Sequence, residues 1–200
     1  MTTFEAIEKR RSVRHFLDKP VEREKIIKAL DAARLAPSGH NEQPWRFVVV
    51  DSPQKKQEML DIFQNGIECG KNAAKVLPHA GYESASMKYT LGVMREAPVN
   101  ILVFNTAGIS FDVKPDDLPG ELNFMTNQQS IGGAIENFVL AACEMDLGTL
   151  WIGHIVPVYE EISRWLDTQD LLVAAISVGY PAKWPSQRPR KSLDSIASWI

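Results

Sequence analysis

Residues 134–153 read AIENFVLAACEMDLGTLWIG, and this stretch decides the fold class. Ile135, Phe138, Ala141, Ala142 and Met145 recur at helical spacing. Carried back through Ile131 and Ala134, the pattern predicts a helix over about 125–145. Its small residues (Gly132, Gly133, Ala134, Ala141, Ala142) would let it pack closely on a neighbour. Gly148 is expected to close the helix, and Leu150-Trp151-Ile152 then reads as a short strand. A long helix delivered straight into a strand calls for mixed α and β structure.

Outward from this stretch, Arg46–Val50, Val99–Phe104 and Leu171–Val178 are short, β-branched runs that read as buried strands. Thr2 and Glu5 form a capping-box pattern ahead of a helix over about 4–10. Further helices are expected over 22–35, from Ser52-Pro53 to about 65, and over 157–166. Residues 66–98 read as mostly helical. Residues 105–124 carry Gly, Pro and Asp without a period and are expected to be loop, of a length that is often functional. From Pro181 the chain is expected to run extended. There is no internal repeat, low-complexity tract or linker, so the reading is a single domain over residues 1–200.

A chain of 200 residues with 44% hydrophobic content can bury a core without staples. That excludes disordered, fibrous and disulfide-rich classes. Cys69 and Cys143 are isolated in apolar helical contexts and read as buried thiols in a reducing compartment. The N-terminus MTTFEAIEKRRS has no apolar signal core, and no run approaches the length of a membrane helix. The expectation is a soluble, cytoplasmic protein.

Lys plus Arg number 22 and Asp plus Glu 25, a net charge of −3. The cations are unevenly placed. Lys9, Arg10, Arg11 and Arg14 cluster near one end and Lys183, Arg188, Arg190 and Lys191 near the other, with no acid inside either cluster. A nucleic-acid binder would spread a basic stripe over an overall basic domain, so none is expected as partner. Two concentrated spots suit a small anion, because guanidinium forks hold phosphate bidentately and Ser12 adds a hydroxyl donor. A solvated helix end and a solvated tail are the plainer reading of the same residues.

Ala36-Pro37-Ser38-Gly39-His40-Asn41-Glu42-Gln43-Pro44-Trp45 sets a serine, a histidine and the amides of Asn41 and Gln43 on a turn directly before a strand. Such amides offer donor and acceptor together, which suits the edge of a heterocycle. A polar helix-to-strand turn is the ordinary alternative. The chain has no GxGxxG, no GxxxxGK[ST] and no GxSxG. His15, His40, His79 and His154 lack metal-ligand spacing, so no metal site is expected. With no nucleophile in view, the difficult chemistry falls to a cofactor.

RRSVRHF (10–16), APSGHNEQPWRFVVV (36–50), AIENFVLAACEMDLGTLWIG (134–153) and AISVGYPAKWPSQRPRKSL (175–193) together resemble the nitroreductase family of FMN-dependent oxidoreductases. The resemblance covers most of the chain in order. It implies an α+β, nitroreductase-like fold with a mainly antiparallel central sheet flanked by helices. It also implies an intertwined homodimer, whose tail, about 181–200, embraces the partner. Two FMN sites would lie at the dimer interface. By this resemblance Arg10, Arg11, Ser12 and Arg14 hold the FMN phosphate, ribityl chain and pyrimidine edge, and Arg188 and Arg190 complete the phosphate site. Pro37, Ser38, Asn41 and Gln43 come over the flavin from the second subunit. Trp151, Ile152 and Gly153 pass beside the ring, a backbone N–H there donating to flavin N5. NADH or NADPH would be the reductant and a nitroaromatic, quinone or related electron-poor molecule the acceptor, in ping-pong order. A specialised reaction (reductive dehalogenation, enone reduction, flavin breakdown) and a low-turnover flavin-binding redox sensor are the alternatives. Ser130 stands where many relatives carry an acid, and no site residue transfers from residues 66–98.

Overall fold

The computed structural model describes residues 1–69, 84–108, 118–153, 155 and 158–200. Four strands form its sheet: β1 (Trp45–Val50), β2 (Val99–Asn105), β3 (Gly148–Ile152) and β4 (Leu171–Gly179). Their order is β1-β2-β4-β3 and every pairing is antiparallel. β2 and β4 take the centre because their sequences, VNILVFN and LLVAAISVG, can be buried on both faces. Val99, Ile101 and Val103 of β2 face one layer of helices with Ala174, Ile176 and Val178 of β4. Leu102, Phe104, Leu172 and Ala175 face the other layer. The change of phase in β4 falls at Val173, where the register slips: Val103 pairs with Ala174 but Phe104 with Leu172. One extra residue there keeps apolar groups on both faces.

On one face lie α2 (Arg23–Ala33) and α5 (Leu118–Glu144); on the other lie α3 (Pro53–Cys69), α4 (Ser84–Glu96) and α6 (Tyr159–Trp165). α1 (Thr3–Lys9) packs against α5. The Thr2–Glu5 capping box forms as expected, with both hydrogen bonds present. α2 and α5 meet through small residues: Ala29 and Ala33 are buried, and a Cβ on Gly133 would lie 3.9 Å from that of Ala36. Asn137 Nδ2 donates to the Ala32 carbonyl at 3.2 Å, pinning the pair. Two polar groups at the sheet centre satisfy each other: Ser177 Oγ donates to Asn100 Oδ1 at 2.8 Å, and Asn100 Nδ2 donates to the Met94 carbonyl at 2.9 Å.

Three expectations need correction. Residues 118–124 are the first turns of α5 and not loop; Pro119 sits in the first turn, where a missing N–H is tolerated. Residues 109–117 lie outside the described residues, as do 70–83. Gly148 does not end α5. Leu147 N–H donates to the Ala142 carbonyl at 2.9 Å and Asp146 N–H to that of Cys143 at 3.1 Å. Asp146 takes the left-handed position at φ 61°, so the Schellman pattern is built on an aspartate. Gly148 instead opens β3, where a Cβ would lie 2.6 Å from Val13 Cγ2. α3 runs on to Cys69, past the expected end at 65. The side chain of Cys69, and His79, Pro157 and His154, lie outside the described residues. Cys143 is buried and free, and burial pushes its thiol up despite the cations of Lys9 and Arg10 nearby. No helix of the described residues is long and apolar enough to cross a membrane.

Candidate functional site

The chain leaves α1 at Arg10, whose extended backbone (φ −54°, ψ 132°) ends the helix. It then runs along the sheet as an irregular strap. Val13 N–H donates to the Thr149 carbonyl at 2.8 Å, with Ser12 bridged in parallel to Thr149. Leu17 N–H donates to the Tyr180 carbonyl at 2.8 Å, and Ala182 N–H to that of His15 at 3.0 Å. Glu96 at the end of α4 fastens the strap from the other side. It accepts Phe16 N–H at 2.5 Å and faces His15 Nδ1 at 3.2 Å. Val13 and Phe16 are buried in the core. The strap therefore turns Ser12 outward and keeps Arg14 half-exposed.

This arrangement says which backbone groups of β3 are free. Thr149 presents its carbonyl to the strap, on the side away from β4. Backbone direction alternates along a strand, so Trp151 presents its N–H to the same side; Gly153 follows the strand, its carbonyl accepting Ile155 N–H at 3.0 Å. β3 is an edge strand, and beyond Thr149 nothing in the described chain pairs with that side. Gly153 is exposed and a Cβ there would have no heavy atom within 4 Å. Trp151 is 43% exposed on an otherwise buried strand, with its ring 3.7 Å from where a Gly132 Cβ would be. Ile152, between them, is buried beneath the sheet.

The cations of the strap differ in their commitments. Lys9 Nζ donates to Asp146 Oδ1 at 2.6 Å, and this contact holds the Asp146 carboxyl below its ordinary value. Arg10 Nε faces Glu136 Oε1 at 3.7 Å. Arg11 donates only to backbone carbonyls, Glu8 and Arg10, and its Nε is buried without a partner. Arg14 donates to the Ser12 carbonyl at 3.1 Å. Neither Arg11 nor Arg14 has an acidic partner among the described residues. An orphaned, buried guanidinium nitrogen beside an outward serine suits a polyanion such as a phosphate ester.

The turn before β1 is bent hard. His40, Asn41 and Gln43 have φ of 50°, 58° and 50°, a region costly for residues other than glycine. Ser38 Oγ accepts Gln43 N–H at 3.0 Å, and Gln43 Nε2 donates to Asn41 Oδ1 at 3.3 Å. Gly39 presses on α5, where a Cβ would come 2.9 Å from Thr126 Cγ2. Pro37, Asn41 and Gln43 are exposed and Ser38 half-exposed.

The structure brings Arg10, Arg11, Ser12 and Arg14 together with Trp151, Ile152 and Gly153, through the Ser12–Thr149 bridge. It does not join them to the rest within one chain. No hydrogen bond or ion pair among the described residues links the turn at 37–43 to the strap. Arg188 and Arg190 are exposed, and among the described residues Arg190 donates only to the Arg188 and Pro189 carbonyls, at 3.2 and 3.3 Å. The tail does enter beside the strap, with Lys9 Nζ 5.1 Å from the Trp184 ring. Sequence reasoning missed Glu96, Thr149 and Glu136. Only Glu136 left a signal, as the single acid within the small and apolar run 131–143.

Comparison with known proteins adds the following. Residues 7–180 match the profile of the nitroreductase family. The chain is 32% identical over 201 residues to a Methanothermobacter thermautotrophicus protein named as an NADH dehydrogenase/NAD(P)H nitroreductase, covering 98% of this chain and 86% of that one. It is 29% identical over 197 residues to the 5,6-dimethylbenzimidazole synthase of Rhodospirillum rubrum, covering 90% and 87%. A Desulfovibrio desulfuricans protein described as a nitroreductase and solved in complex with FMN superimposes with a TM-score of 0.69. It is 28% identical, with 100% of this chain and 98% of that one covered.

Proposed function

The chain belongs to the nitroreductase family, and on that premise we propose that it is an FMN-dependent oxidoreductase reduced by NADH or NADPH. The acceptor is a nitroaromatic, a quinone or a related electron-poor molecule. When bound, FMN supplies a carrier that couples a two-electron donor to that acceptor. The observation that carries this reading is the side of β3 beyond Thr149, which nothing in the described residues pairs with: the Trp151 N–H and then the exposed Gly153 run on from the Arg10–Arg14 strap. One face of the chain thereby offers backbone donors for a flat heterocycle next to cations for a phosphate.

In this reading Arg11, Ser12 and Arg14, with Arg10, hold the phosphate, ribityl chain and pyrimidine edge. The N–H of Trp151 or Gly153 would donate to a ring nitrogen of the flavin, and Gly153 would let the main chain come close. Ile152 closes the floor against water. Arg188 and Arg190 complete the phosphate site. Pro37, Ser38, Asn41 and Gln43 act from the second subunit of a homodimer, in keeping with the lack of any hydrogen bond or ion pair between them and the strap among the described residues. Exposed apolar groups support the dimer: Phe4 is 80% exposed, Leu35 68% and Trp199 79%.

The visible spectrum of the purified protein, before and after anaerobic addition of NADH and NADPH, tests the proposal. Bound flavin that bleaches rapidly is expected. Protein that is colourless and takes up no added FMN would overturn it, and flavin that stays oxidised would point to a sensor. The similarity to a 5,6-dimethylbenzimidazole synthase keeps a specialised flavin reaction as the second reading. Product analysis with nitroaromatics, quinones, enones and halogenated phenols separates the two.

A further inference from the structure

We propose that Glu136 is a positioning residue that aims the guanidinium of Arg10 at the phosphate of the cofactor. The inference rests on the reading of the strap as a phosphate site. Three acids at the C-terminal part of α5 and just beyond it each meet one cation of the N-terminal segment. Glu144 faces the Met1 amino group at 3.7 Å, Asp146 takes Lys9 and Glu136 takes Arg10. The Arg10 contact differs from the others in having a free end. Its Nε faces Glu136, while its two terminal nitrogens carry no hydrogen bond or ion pair among the described residues.

Glu136 lies one turn beyond Gly132, on the helix face that touches Trp151. The same α5 face therefore meets both parts of the proposed cradle, the β3 edge and the strap. Asn137 pins this turn of α5 to α2, so the carboxylate is carried on a fixed support. The side chains of Arg10 and Glu136 are 25% and 47% exposed and 3.7 Å apart. A pair so long and so open to solvent contributes little to stability. Its consequence is direction: a planar guanidinium held along its Nε side presents its opposite edge, the pair of terminal nitrogens that grips phosphate bidentately.

Full-length protein freed of flavin is titrated with FMN and with riboflavin, which lacks the phosphate, following flavin fluorescence. Arg10→Ala, Glu136→Ala and Glu136→Gln are compared with the parent. Glu136→Ala should weaken FMN about tenfold and leave riboflavin within about twofold. Glu136→Gln, which keeps the shape and removes the charge, should behave as Glu136→Ala does, because a contact of 3.7 Å is an ion pair and not a hydrogen bond. If Arg10→Ala erases the preference for FMN and Glu136→Ala does not, the role of Glu136 is overturned and the phosphate reading stands. If Glu136→Ala weakens both flavins alike, its role is structural and the inference also fails. If neither Arg10→Ala nor Glu136→Ala changes the preference, the assignment of Arg10 to the phosphate fails, and the inference with it.

Discussion

A Cβ built at Gly153 meets no heavy atom within 4 Å, so the folded chain has room for Gly153→Val, while the space it fills is the approach to the β3 edge. The expected outcome is an unchanged melting temperature and an FMN affinity lower by tenfold or more, about 1.4 kcal/mol, read by flavin titration. Equal loss of stability and affinity would show the glycine serving the fold alone. Asp146 makes the opposite case. Its partner Lys9 lowers its carboxyl from an ordinary value of 3.8. A depressed acid contributes stability above its unfolded value and loses it as pH falls through the folded one. Asp146→Asn should therefore lower the melting temperature slightly at pH 7. The gap should begin to narrow below about 3.8 and close once the pH has fallen through the lowered folded value, where both side chains are neutral. A difference that persists in acid would assign the effect to the left-handed backbone at φ 61° instead.

Each element reports in its own way how much the sequence tells. Strand and helix identities were readable because they follow periodicity, and α1 even declared its cap through Thr2 and Glu5. The end of α5 was misread because Gly148 is the habitual helix stop. Its lack of a Cβ serves packing instead, with Val13 Cγ2 at 2.6 Å and Pro181 Cγ at 3.0 Å from the position a Cβ would take. Gly148→Ala should consequently destabilise by roughly 1–3 kcal/mol in denaturant melts. It should weaken FMN binding as well, since the displaced Val13 belongs to the strap. The turn at 38–43 was half legible. Asn41 tolerates a left-handed backbone by its nature, whereas His40 and Gln43 adopt it only because Ser38 and α5 hold the turn in place. The open side of β3 was not legible at all, because strand order and the Ser12–Thr149 bridge are long-range facts.

Across the whole molecule the start of the tail joins the strap through Ala182 and Trp184, while Arg188 and Arg190 have no hydrogen bond or ion pair to the strap among the described residues, and by the proposed reading a second copy completes the site. Leu193, Ile196 and Trp199 in the tail are 64%, 66% and 79% exposed, more apolar surface than an unpaired tail keeps. Truncation after Lys183 should remove Arg188 and Arg190 with it, giving monomer or aggregate and poor flavin retention in light-scattering chromatography. A truncated protein that stays dimeric and yellow would exclude a role for the tail.

The part of the β3 edge beyond Thr149, which nothing in the described residues covers, also bears on how the protein survives when its cofactor is scarce. An uncovered strand edge invites a foreign strand to add to it. By this reading FMN does more than react there: it blocks that addition, as a fifth strand or a covering loop does in other sheets. Cells starved of riboflavin should accumulate this chain in the insoluble fraction, and flavin restored before lysis should return it to solution. Nutrition, by this route, would set the amount of protein as well as its activity.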